Sequence, residues 1–105
     1  MTTPLTLIPV RHSDGVAGLA VSGEIDLSNS HLLAAALDDI AGPVRLDLTG
    51  VTYLDSAGLS VLFTHVERLE VSATPLLAPV LSVSGLTDLL SRLADTGTAN
   101  PPERA

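Results

Sequence analysis

Leu54-Asp55-Ser56-Ala57-Gly58-Leu59 separates two different periodicities in this chain. Before it, Val44, Leu46 and Leu48 alternate with Arg45, Asp47 and Thr49, the pattern of a strand with one packed face and one polar face. After it, Leu59, Leu62, Phe63, Val66 and Leu69 recur at helical spacing, with Ser60, Thr64, Glu67 and Arg68 opposite. The stretch therefore predicts a strand, a turn over Gly50 to Tyr53, and a helix whose first turn carries Ser56. Asp55 is expected as the N-cap, accepting from the Ala57 or Gly58 N–H, rather than as a catalytic base. Gly58 is read as permitting close approach, either of helix to sheet or of a partner to the helix.

Upstream, Leu5–Ile8 and Ala17–Val21 read as two short strands joined by a turn at Ser13-Asp14-Gly15. Pro9 places the first at a sheet edge, because proline has no N–H for an interior ladder. Gly23-Glu24-Ile25-Asp26 leads into a helix over residues 29–40, with Leu33, Ala36, Leu37 and Ile40 on one face and Ser28 or Ser30 as its cap. Asp26 is read either as a loop cap for that helix or as part of a binding surface around Ser56.

Downstream, Pro75-Leu76-Leu77-Ala78-Pro79 reads as a short strand bracketed by prolines, which leaves Glu70 to Thr74 as a loop. Leu86, Leu89, Leu90 and Leu93 then mark a third amphipathic helix capped by Ser84, with no final strand after it. An alternative register ends a much shorter third helix at Gly85-Leu86. From Asp95 the composition turns to Thr, Gly, Asn and Pro, so residues 1–94 are expected to form the domain and residues 95–105 a disordered tail. The order ββαβαβα gives a small α/β domain, a sheet of about four to five strands with helices packed mainly on one face.

Composition narrows the function. The 105 residues are 46% hydrophobic but only 2% aromatic, so the core is aliphatic, and the only rings, Tyr53 and Phe63, form no platform for stacking bases. Net charge is −7, and the five cationic side chains are all arginine. An acidic chain with no basic cluster does not suit direct nucleic-acid binding, and a chain without lysine offers neither P-loop nor Schiff-base chemistry. No cysteine means no disulfide and no thiolate metal site. No signal peptide or membrane-spanning run is evident, so a cytoplasmic location without membrane insertion is expected. A Ser–His hydrolase is excluded by distance, since Ser56 and His65 lie nine residues apart along one helix, about 13 Å. His12 and His31 are isolated, no pair suggests zinc, and a phospho-acceptor aspartate at Asp47 or Asp55 lacks the acidic pair and late lysine it would need. No catalytic residue, metal or cofactor is expected.

Gly23-Glu24-Ile25-Asp26-Leu27, Leu46-Asp47-Leu48-Thr49-Gly50-Val51 and Leu54-Asp55-Ser56-Ala57-Gly58-Leu59, in this order and spacing, resemble the STAS family, and within it the anti-sigma factor antagonists. The resemblance runs from about Leu19 to Val66, and more loosely to Leu93. It implies that Ser56 is phosphorylated by a serine-kinase anti-sigma factor, which the unphosphorylated protein binds to release a sigma factor, and that a PP2C-type phosphatase reverses the modification. It places partner contacts on Asp26, Leu27, Ser28, Asp55, Ser56, Ala57, Gly58 and Ser60, on a monomer or weak dimer. The same family also supplies non-switching scaffolds and accessory subunits of stress-signalling or lipid-transport complexes. The physics of Ser56 suits a switch: a helix start offers unpaired N–H groups and partial positive charge, so a phosphate there is expected to be tolerated.

Overall fold

The computed structural model describes residues 4–98. Four strands, β1 (Thr6–Arg11), β2 (Ala17–Ile25), β3 (Val44–Leu54) and β4 (Leu69–Ser72), form one sheet in the order β1-β2-β3-β4. β1 and β2 are an antiparallel hairpin with Pro9 on the edge strand, whereas β2–β3 and β3–β4 are parallel. The helices are α1 (Ser30–Asp38), α2 (Ser56–Thr64), α3 (Ala78–Val83) and α4 (Leu86–Thr98), with a 3-10 turn at Val66–Arg68.

One sheet face is packed. Leu19, Val21 and Ile25 from β2 and Val44, Leu46, Leu48, Val51 and Leu54 from β3 are buried against Leu33 and Leu37 of α1, Leu62 of α2, and Leu77, Leu81 and Leu86. On the opposite face Ile8, Val10, Asp47 and Thr49 are exposed. This is the one-sided α/β arrangement that the alternating strands predict.

The turn expected over Gly50 to Tyr53 does not form; β3 continues through it. Between the pairs Ala20↔Asp47 and Ser22↔Gly50, β3 advances by one residue more than β2, and it does so again between Gly23↔Val51 and Glu24↔Tyr53. These two bulges re-aim the side chains. Buried positions therefore keep the spacing of two only from Val44 to Leu48, and the next ones are Val51 and Leu54.

The fourth strand also lies elsewhere than expected. Leu69, expected on the helix, and Val71, expected in the loop Glu70–Thr74, pack against the core from β4 and pair with Val44 and Leu46. The proline-bracketed segment is instead the lead into α3, where Pro79 occupies the first turn and its missing N–H leaves no helical bond unmade. Gly85, at φ 89°, separates α3 from α4, so the leucine repeat at 86–93 is a helix of its own and the preceding helix is short. The Ser84 hydroxyl accepts from the Leu86 N–H at 3.4 Å. Of the tail expected from Asp95, residues 95–98 continue α4, and residues 99–105 lie outside the described residues.

Candidate functional site

The two bulges have a positional consequence. They bring Leu54 opposite Ile25, so the parallel strands β2 and β3 end level and the segments that follow emerge side by side. The Asp55 N–H donates to the Ile25 carbonyl at 3.2 Å, joining the two exits.

The segment after β2 is held almost entirely by its own polar groups. The Ser28 N–H and hydroxyl both donate to Asp26 Oδ1, at 3.0 and 2.6 Å. The Asp26 carbonyl accepts from Asn29 and Ser30 N–H at 3.1 and 2.8 Å. Neither Ser28 nor Ser30 caps α1. Asn29 holds the N-cap position, but its side chain turns back, accepting from Asp26 N–H and donating to the Glu24 carbonyl, both at 2.9 Å. Asp26 thus organises the loop. Leu27 and Ser28 are exposed at its tip.

The segment after β3 starts α2. Asp55 Oδ1 accepts from Ala57 N–H at 2.9 Å and Gly58 N–H at 3.2 Å, which is the N-cap geometry expected of it. Its other oxygen, Oδ2, accepts from Leu27 N–H at 3.2 Å, a contact that local sequence does not signal. Ser56 opens the helix, exposed, and its hydroxyl makes no hydrogen bond among the described residues. Ser60 is exposed one turn further along, while Asp55 and Ala57 are half-buried.

Two expectations need correction here. The N–H groups of Ala57 and Gly58 are not waiting for a phosphate, because Asp55 already fills them; a phosphate on Ser56 would share the helix start with that carboxylate. Gly58 is buried, so it is not a contact surface. A Cβ at Gly58 would stand 2.4 Å from Leu54 Cδ1 and 2.7 Å from Ile25 Cγ2, so the glycine lets α2 lie against the ends of β2 and β3.

Two features were not read from sequence. Leu59, one turn from Ser56, lines an apolar groove of about 410 Å³ with Pro79, Val80, Val83 and Ser84. Arg68, assigned to a solvated face, reaches back to the end of α1 and donates to the carbonyls of Leu37, Ile40 (2.7 Å) and Gly42 (2.8 Å). His65 sits at the far end of α2 from Ser56, with Nδ1 3.3 Å from the Arg68 guanidinium and Nε2 3.5 Å from Asp38. Among the described residues, no group of three His, Cys, Asp or Glu side chains is placed to hold a metal, and no helix is long and apolar enough to cross a membrane.

A one-sided sheet whose adjacent parallel strands end in a hydrogen-bonded loop and an exposed helix start defines a small α/β domain with its polar site at the strand ends. The chain belongs to the STAS family: residues 8–94 match the family model described as "Mlab, STAS domain". No curated protein matches the sequence. Among solved structures, an anti-sigma factor antagonist from Mycobacterium paratuberculosis is 29% identical, with 85% of this chain and 86% of that one aligned at a TM-score of 0.70. The fold is also that of the anti-sigma factor antagonist SpoIIAA in its unphosphorylated form, at 13% identity, 90% and 100% coverage, and a TM-score of 0.63. A STAS domain antisigma-factor antagonist from Rhodobacter sphaeroides aligns over 67% of this chain and 85% of its own, at 17% identity and a TM-score of 0.52.

Proposed function

We propose that this protein is a non-enzymatic, cytoplasmic anti-sigma factor antagonist controlled by phosphorylation at Ser56. In its unphosphorylated form it binds a serine-kinase anti-sigma factor and releases a sigma factor; the kinase, which holds the ATP, transfers phosphate to Ser56, and a PP2C-type phosphatase removes it. The observation that carries this reading is the exposed, unbonded Ser56 hydroxyl at the start of α2, beside the loop of Asp26 to Ser30. Similarity to the mycobacterial antagonist over most of both chains supports it.

Phosphate would add about −1.5 to −2 charges to a surface already carrying Asp26 and Asp55. A partner surface fitted to a neutral hydroxyl must then desolvate that charge unpaired. Moving a complex from 99% to 1% bound takes about 5.5 kcal/mol, which is within reach of one buried, unpaired dianion and requires no large change of shape. Tolerance of that charge rests on the macrodipole alone, because Asp55 already takes the Ala57 and Gly58 N–H groups.

The test is to incubate the protein with candidate serine-kinase anti-sigma factors and ATP and to map phosphate by mass spectrometry. Ser56 is the expected site. Ser56→Ala should bind the kinase and take no phosphate, whereas Ser56→Asp should bind weakly and keep its circular dichroism spectrum. Phosphate elsewhere, or none with any candidate, would move the reading to a STAS scaffold or an accessory subunit.

A further inference from the structure

Asp55 does more than an N-cap requires. Capping the start of α2 uses one acceptor oxygen, and Asn or Ser serves that purpose about as well as Asp. In this protein Oδ1 alone takes both helix donors, and Oδ2 is left to hold the Leu27 N–H, 28 residues away in sequence. Aspartate is suited to this because both its oxygens accept and neither donates.

The residue held in this way is unusual. Leu27 is 81% exposed, in a loop where the N–H groups of residues 27 to 30 are all bonded, to Asp55, to the Asp26 side chain and twice to the Asp26 carbonyl. A single exposed leucine needs no explanation. A leucine whose backbone is fixed by the carboxylate next to an exposed serine is a preorganised contact, since little loop entropy remains to be lost when something covers it.

We infer that Asp55 is a positioning residue that presents Leu27 as an apolar anchor beside Ser56, so that the kinase anti-sigma factor recognises leucine and serine together. This rests on the partner-binding reading above. Leu27 supplies affinity by burial in the partner, Ser56 supplies the switch, and the Asp55 carboxylate fixes the distance between them.

The experiment uses Asp55→Asn, which keeps an acceptor for Ala57 and Gly58 while turning an NH2 group toward Leu27, together with Leu27→Ala and the double variant. In the free protein, amide exchange at Leu27 should quicken at least tenfold in Asp55→Asn, with exchange in the body of α2 unchanged. Leu27→Ala should weaken binding of the unphosphorylated protein about tenfold and raise KM for phosphorylation with kcat retained. Asp55→Asn should weaken binding severalfold in the wild-type background and not at all in Leu27→Ala, the signature of two residues acting as one. Unchanged Leu27 exchange in Asp55→Asn overturns the positioning role. Wild-type affinity in Leu27→Ala, with the wild type still binding, overturns the anchor alone. A wild type that binds no kinase overturns the functional reading and the anchor with it, while the exchange result still decides what Asp55 holds.

Discussion

The start of α2 and the end of α1 are finished by the same device, used to opposite ends. At each, one charged side chain satisfies orphan backbone groups of a helix terminus and also ties that terminus to a distant segment. Asp55 takes the donors at the start of α2 and reaches Leu27; Arg68 feeds the acceptors Leu37, Ile40 and Gly42 at the end of α1. Around Arg68 the bonds go to the chain's own backbone, with His65 beside the guanidinium and Asp38 beyond His65. Around Asp55 the tie leaves Ser56 and Leu27 facing solvent. The difference teaches that one such tie serves only the chain's own backbone, while the other leaves exposed side chains beside it, the surface proposed for partner binding.

Arg68→Met is the strongest way to break the comparison. The methionine keeps part of the apolar stem but leaves three carbonyls to water, and a hydrogen bond to a charged group is worth about 1.5–3 kcal/mol net, less where water can replace the donor. A net loss of about 2 kcal/mol in urea unfolding is expected, with the phosphorylation proposed for Ser56 unaffected in the folded protein. Equal stability of wild type and variant would mean that the end of α1 needs no such tie.

Gly58→Ala probes the other terminus from beneath. The added methyl would meet Ile25 Cγ2, on a stiff β-branched side chain, and Leu54 Cδ1, which can yield. Overpacking of about 1–3 kcal/mol is partly offset by the better helix propensity of alanine, so thermal unfolding should register a net loss of about 1–2 kcal/mol. Unlike Arg68→Met, this change should also disturb partner binding, because it pushes the start of α2 away from the loop at Leu27. Stability loss with unaltered binding would separate helix seating from surface presentation.

How much of this was legible in the sequence follows from the range of each interaction. Val44, Leu46 and Leu48 announce their strand because alternation is local, and Asp55 announces its cap because Ala57 and Gly58 lie within one turn. β3 beyond Leu48 was not legible: two bulges convert spacing of two into the spacing of Leu48, Val51 and Leu54, which reads as a turn. β4 was hidden because Leu62, Val66 and Leu69 continue a helical spacing that the chain itself abandons at His65. Pro75 and Pro79 fit a strand's brackets as well as a helix's first turn, and only the pairing of Leu69 and Val71 with β3 decides between them. The loop-to-helix tie through Leu27 and the tie through Arg68 span 28 and 31 residues at their longest, so no local pattern carries them.

The smallest expected effect comes from a side-chain tie made in water. Asp14 accepts from Arg45 Nη1 and Nη2 at 3.1 and 2.6 Å, and Arg45 Nε stands 3.4 Å from Glu70, joining the hairpin turn to β3 and β4. The Arg45 guanidinium, and then the Val16 N–H, hold the Asp14 carboxyl below its ordinary value of 3.8. A carboxyl depressed in the folded state contributes stability above its unfolded value and loses it as pH falls through the folded one. Asp14→Asn should therefore show its whole cost, a small one for so exposed a pair, near neutrality, and the difference from wild type should vanish only as pH falls below the ordinary value of 3.8. Both partners are largely solvated, so about 1 M salt should shrink the difference between wild type and variant. Urea midpoints followed down to about pH 3 would show it. A salt-insensitive loss as large as that of Arg68→Met would mean that a tie between exposed side chains stabilises this fold as much as one made to the backbone of a helix end.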